Sequence, residues 1–241
     1  MKPQKTLRAL ALSCLALCAA APALAGVFSV TPVRIFMVPK DRAVAITIVN
    51  EGDTPVALQA DINVWSQKPD GTDELVLTED MILSPPIIKL EPKAKQVVRL
   101  ALLKPADASR QLTYRMIVRE VPEAFKSDAT IQVPISLALS MPVFITPPIA
   151  KREMACGLTM NAGANPQAVC SNIGSAYAQV REVAVQRGGR KLARFEGGSY
   201  ILPGAKKTLP LKTDAALAPG AAELFVLFDD GRSQTFAVTL P

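Results

Sequence analysis

The segment Val56-Ala57-Leu58-Gln59-Ala60-Asp61-Ile62-Asn63-Val64-Trp65 places an apolar side chain at every second position. Residues with this spacing lie on one face of a β-strand, whereas an amphipathic helix needs a period near 3.6 residues. The turn-forming run Lys68-Pro69-Asp70-Gly71 follows. The segment therefore predicts a half-buried antiparallel strand that ends in a tight turn.

Similar short apolar stretches, separated by turn residues, continue on both sides of this segment. No stretch has a convincing helical apolar stripe longer than two turns, and 20 Pro and 13 Gly would interrupt one. A second set of strand patterns follows Pro147-Pro148. We therefore predict an all-β protein with two immunoglobulin-like β-sandwiches in tandem. The predicted boundaries are 26–146 for the first domain, 147–153 for a linker and 154–241 for the second domain.

The composition excludes several kinds of chemistry. The 241 residues are 49% hydrophobic and 20% charged, which is typical of a globular protein, and they include no histidine. Because histidine is the usual general base and zinc ligand near neutral pH, Ser-His-Asp and Cys-His catalysis and histidine-ligated metal sites are excluded. Paired acids and phosphate-binding glycine motifs are also missing, and Gly188-Gly189 and Gly197-Gly198 are interpreted as hairpin turns. We expect no enzyme, no cofactor and no metal site.

The N-terminus has the three parts of a secretory signal peptide. Basic residues up to Arg8 precede an uncharged apolar run from Ala9 to Ala25, which ends in the small residues of Ala23-Leu24-Ala25. We predict a signal peptide over residues 1–25 that is cleaved after Ala25. A membrane anchor is the alternative, but the run is at the short limit for a bilayer span and contains Pro22.

Removal of the signal peptide changes both the charge and the cysteine count. The formal net charge falls from +6 to +3, because the segment contains three basic and no acidic residues. The basic surplus that suggests nucleic-acid binding therefore largely disappears. Of the four cysteines, Cys156 and Cys170 remain. In an oxidising compartment we expect them to form one disulfide, with two reduced core thiols as the alternative.

Residues 129–150 are a run of 22 residues without a charge, long enough for a membrane helix. Four prolines argue against a helix there. Large aliphatic side chains share one parity from Ile131 to Met141, and small or polar ones share the other. This pattern predicts a long strand with one apolar face, over residues 130–145.

Prolines in this strand favour an edge position, where an uncharged apolar strand is normally an aggregation hazard. Two interpretations follow. The apolar face enters the core of the protein itself, or it is kept available for another chain that pairs along the edge and takes up those side chains.

Six short motifs occur in order along the predicted strands. They are Val33-Arg34-Ile35-Phe36, Ser84-Pro85-Pro86, Leu90-Glu91-Pro92, Gln96-Val97-Val98-Arg99-Leu100, Tyr114-Arg115-Met116-Ile117-Val118-Arg119-Glu120-Val121-Pro122 and Pro142-Val143-Phe144-Ile145-Thr146-Pro147. No single motif is specific, but together they resemble the periplasmic pilus-assembly chaperones of the chaperone–usher pathway over nearly the whole mature chain. The resemblance implies two immunoglobulin-like domains set at an angle with a cleft between them.

The resemblance also implies a periplasmic chaperone that captures pilin or fimbrial subunits by lending them a strand and delivers them to an outer-membrane usher. It implies no nucleic-acid partner and no stable membrane insertion, and it leaves self-association of the free form open. The donor strand of that family corresponds here to four aliphatic residues. They are Val133, Ile135, Leu137 and Leu139.

Two basic residues are candidates for holding the subunit's C-terminal carboxylate. Arg34 occupies the family's motif position in the first strand, and a guanidinium can bind a carboxylate through two parallel hydrogen bonds. Better-known members carry a second cation, a lysine, in the donor strand. This chain has Pro142 at the matching position, and a proline there is similar to the archaic branch of the family. The replacement candidate is Arg115. Arg119 shares its parity and is expected instead to form a buried pair with an acid such as Glu120 or an interdomain carboxylate.

Cys156 and Cys170 match a disulfide in the second domain of many relatives. The alternative function is an exported two-domain adhesin or pilus structural subunit built from the same sandwich. A subunit usually carries its donor segment at the extreme N-terminus, and Gly26-Val27-Phe28 leaves little room for one. The long uncharged strand near the domain junction therefore favours the chaperone.

Overall fold

The computed structural model describes residues 28–122, 136–160, 165–213 and 217–241. Within these ranges the chain forms seventeen β-strands and no helix, which confirms the prediction of an all-β protein. Accordingly, the described part of the chain has no helix long and apolar enough to cross a membrane.

The first sandwich consists of ten strands in two sheets. They are β1 (Phe28–Thr31), β2 (Ile35–Met37), β3 (Ala43–Asn50), β4 (Val56–Gln67), β5 (Asp73–Leu77), β6 (Met81–Ser84), β7 (Ile87–Leu90), β8 (Lys95–Leu102), β9 (Leu112–Glu120) and β10 (Ala138–Ile145). One sheet has the order β1-β3-β8-β6, and the other has the order β2-β10-β9-β4-β5, with β7 also paired to β4. The two sheets pack face to face around one apolar core.

Strand β4 shows how the alternating pattern produces this core. Val56, Leu58, Ala60 and Ile62 are all buried in the first core, and they lie on the parity that the sequence predicts. Trp65 lies on the opposite parity and packs instead among the buried residues of the second sandwich. The two faces of β4 therefore serve two different cores.

The second sandwich consists of seven strands. They are β11 (Met154–Thr159), β12 (Gln167–Asn172), β13 (Ala178–Arg187), β14 (Arg190–Ile201), β15 (Lys206–Pro210), β16 (Gly220–Phe228) and β17 (Ser233–Leu240). Its sheets have the orders β11-β12-β15 and β14-β13-β16-β17. The molecule is thus two immunoglobulin-like sandwiches in tandem.

Cys156 on β11 and Cys170 on β12 are direct neighbours in the register of their strands and are joined by a disulfide.

Of the two glycine pairs predicted to form hairpin turns, one does so and the other does not. Gly188-Gly189 forms the turn between β13 and β14, with both residues at positive φ. The prediction of a turn at Gly197-Gly198 is wrong, because these residues lie inside β14, where the register with β13 shifts at a β-bulge.

Two glutamines of the first sandwich bind the backbone of the second. Gln67 accepts a hydrogen bond from the Leu202 N–H (2.9 Å) and donates one to the Tyr200 carbonyl (3.0 Å). The buried Gln111 accepts one from the Tyr177 N–H (2.8 Å). These bonds hold the two sandwiches against each other at the place where the candidate site lies.

Candidate functional site

Arg34 lies in the short connection between β1 and β2 and reaches the second sandwich. Its Nη1 donates to Oδ2 of Asp229 (2.7 Å) and to Oε1 of Gln179 (2.9 Å). Burial lowers the pKa of Arg34, but the nearby Tyr200 and Asp229 more than offset this, so that the pKa is raised above its ordinary value. The guanidinium is therefore charged and stays partly accessible, with its side chain 40% exposed.

Arg115 lies in the middle of β9, and its guanidinium covers an aromatic ring. Its Cζ is 3.8 Å from the ring centroid of Trp65 and 5.5 Å from that of Tyr200. Burial lowers the pKa of Arg115, and the charges of Asp73 and Tyr200 act in the opposite direction. One of its Nη atoms is 3.5 Å from the Ser140 carbonyl oxygen on β10. The side chain thus lies between the second sandwich and β10.

Aromatic rings fill the junction of the two sandwiches. Phe144 of β10 stacks on Tyr177 with ring centroids 4.0 Å apart and an interplanar angle of 7°. Tyr200 lies 5.8 Å from Tyr177 and meets Trp65 edge-on at 5.2 Å. Burial, with the charge of Asp229, raises the pKa of Tyr177 to about 12, so its hydroxyl is a donor at neutral pH. That hydroxyl bonds Asp229 Oδ2 at 3.3 Å.

The two predicted cations come together around Tyr200. Burial raises the pKa of this phenol, and Arg34 and Arg115 both lower it, so that the net shift is upward. Arg34 comes from the connection between β1 and β2 and Arg115 from β9, and both lie beside Tyr200, so the two cations share one corner of the interdomain cleft. Both residues were predicted from the sequence as candidate carboxylate-binding cations, and in the structure they lie together at this corner.

Strand β10 passes this corner at Pro142, which pairs with Arg115, and is paired unevenly. Along its whole length it pairs with β9. On its other side β2 covers it only from Val143 to Ile145, where the pairing is parallel. Among the described residues, the edge from Ala138 to Pro142 has no partner strand. Arg34 immediately precedes β2, so it lies where the free edge begins.

A groove of about 420 Å³ follows the free edge, between the β1 edge of one sheet and the β10 edge of the other. Leu139 and Met141 line it from β10, and Phe28, Val30 and Val33 line it from the β1 side. Val33 is exposed. The groove therefore exposes apolar surface next to unpaired backbone groups.

The proposed donor residues fall into three groups. Val133 and Ile135 lie outside the described residues. Leu137 is 40% exposed, and Leu139 is partly buried against the first core. The same row of side chains continues into that core with Met141 and Val143. The apolar face thus enters the protein's own core at one end and is exposed at the other.

Arg119 does not take part in the site. Its Nη2 lies 3.0 Å from Oδ2 of Asp61, on the neighbouring strand β4. The predicted pairing with Glu120 or with an interdomain carboxylate is wrong, because consecutive residues of a strand point to opposite faces, whereas Asp61 lies on the same face of the sheet.

Several residues of the site were not predicted from the sequence. Asp229 and Gln179 both contact Arg34, and Tyr177 and Tyr200 complete the aromatic cluster. Asp229-Asp230-Gly231 has the sequence of an ordinary turn, and nothing in it indicates contact with a residue 195 positions earlier. In the described ranges, no group of three or more metal-ligating side chains comes together.

Several solved structures have a fold similar to that of this chain. A chain of the CsuC–CsuE chaperone–tip adhesion subunit complex from the archaic Csu pili of Acinetobacter baumannii matches with a TM-score of 0.65 at 18% identity, over 88% of this chain and 98% of that chain. The SafA pilin–SafB chaperone complex of Salmonella enterica matches with a TM-score of 0.59 at 17% identity, over 90% and 98%. The E. coli chaperone DraB matches at 0.57 and 17%, over 89% and 99%.

A comparison with curated protein sequences finds no match. A family model described as "Pili and flagellar-assembly chaperone, PapD N-terminal domain" matches residues 27–151, which include β1 to β10 and both cations of the site. The similarity in fold extends over both sandwiches. The chain therefore belongs to the family of pili and flagellar-assembly chaperones.

Proposed function

We propose that this protein is a periplasmic, non-catalytic chaperone that binds pilin subunits by donor-strand complementation and delivers them to an outer-membrane usher. Family membership supports the chaperone over the alternative of a pilus structural subunit or adhesin. Complexes of a chaperone with a pilin or a tip subunit occur among the structures of similar fold.

The free edge of β10 is the main observation that supports the proposed strand exchange with a subunit. Backbone groups from Ala138 to Pro142 have no partner strand among the described residues, and the adjacent groove is apolar. An extended segment of a subunit would gain main-chain hydrogen bonds along this edge. Its own incomplete sandwich would receive side chains of the donor row in return.

The donor row consists of Val133, Ile135, Leu137 and Leu139. Full burial of one such side chain contributes about 1.5–3 kcal/mol before the costs of ordering are subtracted. Such an interaction holds an exposed subunit and can still be replaced when a strand with better complementarity arrives. The exposed Leu137 is the described residue best placed to enter a partner.

Arg34 and Arg115 are proposed to anchor the C-terminal carboxylate of the subunit. They share one corner of the cleft, next to the point where β2 ends its cover of β10. A carboxylate there would fix the register of the incoming strand, because alternate side chains of a strand point to opposite faces and a shift by one residue would turn the wrong set inward.

The test is co-expression with a candidate pilin subunit and purification of the periplasmic complex. Arg34→Ala should abolish the soluble one-to-one complex, and Arg115→Ala should weaken it, while the free variants keep the wild-type β-sheet circular dichroism. Arg42→Ala is the matched control, because Arg42 is an exposed arginine of the same sandwich just before β3. A complex that forms equally well with Arg34→Ala would contradict the anchor.

The remaining assignments complete the proposal. The leader over residues 1–25 would be removed on export, which fits a disulfide between Cys156 and Cys170 in an oxidising compartment. We further propose domain limits at 26–146 and 154–241 with a linker at 147–153. N-terminal sequencing of the mature protein tests the cleavage site directly.

A further inference from the structure

We propose that Asp229 acts as an internal stand-in for the subunit carboxylate, so that a partner must displace Asp229 from Arg34 in order to bind. This inference rests on the proposed role of Arg34 as a carboxylate anchor. It adds a competing group within the chain itself, contributed by the second sandwich.

The contact has the chemistry of the interaction it would replace. Oδ2 of Asp229 accepts a hydrogen bond of 2.7 Å from Nη1 of Arg34, which is a charge-assisted carboxylate–guanidinium bond. Gln179 Oε1 accepts a second bond from the same nitrogen atom. In the free protein the guanidinium is therefore already engaged by a carboxylate.

Asp229 is held by backbone and side-chain contacts, whereas the side chain of Arg34 is the more exposed of the two. Asp229 follows directly after β16, its N–H donates to the Gln179 carbonyl at 3.1 Å, and its carboxylate accepts a bond from Tyr177. Its side chain is 14% exposed, and that of Arg34 is 40% exposed. Exchange of carboxylates would thus occur by rotation of the long arginine side chain away from a fixed acid.

The strength of the pair suits a competitor that can be displaced. Ion pairs with one exposed partner are worth little, because water solvates the charges when they separate. A competing carboxylate of this strength would weaken partner binding severalfold without blocking it. It would also keep Arg34 from pairing with carboxylates that lack the rest of a subunit's contacts.

The neighbouring acid provides a matched control. Asp230 follows Asp229 in the same turn, but it pairs with Arg152 at 3.1 Å, and Arg152 in turn covers the ring of Phe228. Asp230→Asn changes the net charge of the turn as Asp229→Asn does, but it leaves the Arg34 contact intact.

The experiment uses acetate as the carboxylate probe and the full mature chain. In protein labelled with ¹⁵N-arginine, the Nε–H signal of Arg34 is assigned by its loss in Arg34→Ala. Sodium acetate then replaces sodium chloride at constant ionic strength. In Asp229→Asn, the acetate concentration for half of the Arg34 shift should fall about two- to fivefold below wild type. Asp230→Asn should titrate as the wild type does.

Each other outcome overturns a distinct claim. If Asp229→Asn binds acetate with unchanged or lower affinity while the wild type responds at Arg34, Asp229 positions the guanidinium or is a bystander, and the inference is wrong. An Arg34 signal that ignores acetate in every variant would count against Arg34 as a carboxylate anchor, and the proposed function would lose its anchor together with the inference.

Discussion

Arg115 shows why an arginine suits this site better than a lysine does. Its planar guanidinium lies against the ring of Trp65, and burial lowers its pKa. An arginine side chain nevertheless keeps its charge in proteins. A lysine ammonium is more strongly hydrated and loses its proton more readily when it is buried. Under the proposed function, this cation from β9 would take the place of the basic residue that β10 lacks at Pro142.

Asp80 is a single residue whose charge stabilises the first sandwich. It follows β5, pairs with Lys104, and accepts a hydrogen bond of 3.1 Å from the buried Tyr114 hydroxyl. The hydrogen bond from Lys104 is the main cause of a pKa below the ordinary 3.8, and burial acts against it. The carboxylate is therefore more stable in the folded chain than in the unfolded one.

Asp80→Asn should destabilise the protein by about 0.5–1.5 kcal/mol at pH 7, since a bond to a charged group is replaced by a neutral one. Because the folded pKa is depressed, this stability is present above the unfolded pKa of the carboxyl and is lost as the pH falls through the folded pKa. Urea denaturation at pH 7 and pH 3 measures both values. Glu79→Gln, an exposed neighbour, is the control, and a difference that stays constant at low pH would contradict the assignment.

Strand β10 marks the limit of what the alternating pattern could predict. The pattern correctly grouped Leu137, Leu139 and Met141 on one face, since the two-residue period of a strand fixes this. It could not decide between the protein's own core and a partner, because both are apolar. The structure divides the row: Met141 is buried and Leu137 is exposed. The site around Arg34 was even less predictable, because Asp229 and Gln179 reach it only through the packing of a second sandwich.

This division of the apolar row between Leu137 and Met141 predicts opposite effects of two substitutions. Leu137→Asp should change the free energy of unfolding by less than about 0.5 kcal/mol, because the side chain is exposed, yet it should abolish the complex with a subunit. Met141→Ala should cost about 2–5 kcal/mol, because it leaves a cavity in the first core. Thermal denaturation and co-purification measure the two effects.

Leu103→Asp is the control for the first substitution, since Leu103 is an exposed leucine of the same sandwich that does not line the groove. It should leave both stability and complex formation unchanged. A subunit that co-purifies with Leu137→Asp as well as it does with Leu103→Asp would refute the donor role of Leu137.

At the scale of the whole molecule, the site exists only while the two sandwiches keep their relative position. Arg34 belongs to the first and Asp229 to the second, and Tyr200 of the second meets Trp65 of the first. The turn between β4 and β5 is pressed against β15: a Cβ on Gly71 would lie 2.8 Å from the Lys206 carbonyl oxygen, and its φ of +83° favours glycine. The contacts along this junction therefore set the geometry of the cleft.

Gln67 is the clearest single link across that junction, because its amide bonds both a carbonyl and an N–H of the second sandwich. Gln67→Ala leaves these backbone groups without their partner and should cost about 1–3 kcal/mol. We expect the two sandwiches to tumble more independently, which ¹⁵N relaxation detects as two different rotational correlation times. Gln59→Ala on the same strand is the control, since within the described ranges that side chain bonds only Asp61. If Gln67→Ala tumbles as one body and unfolds like the wild type, the aromatic cluster and Gln111 suffice to hold the cleft, and Gln67 is not the link inferred here.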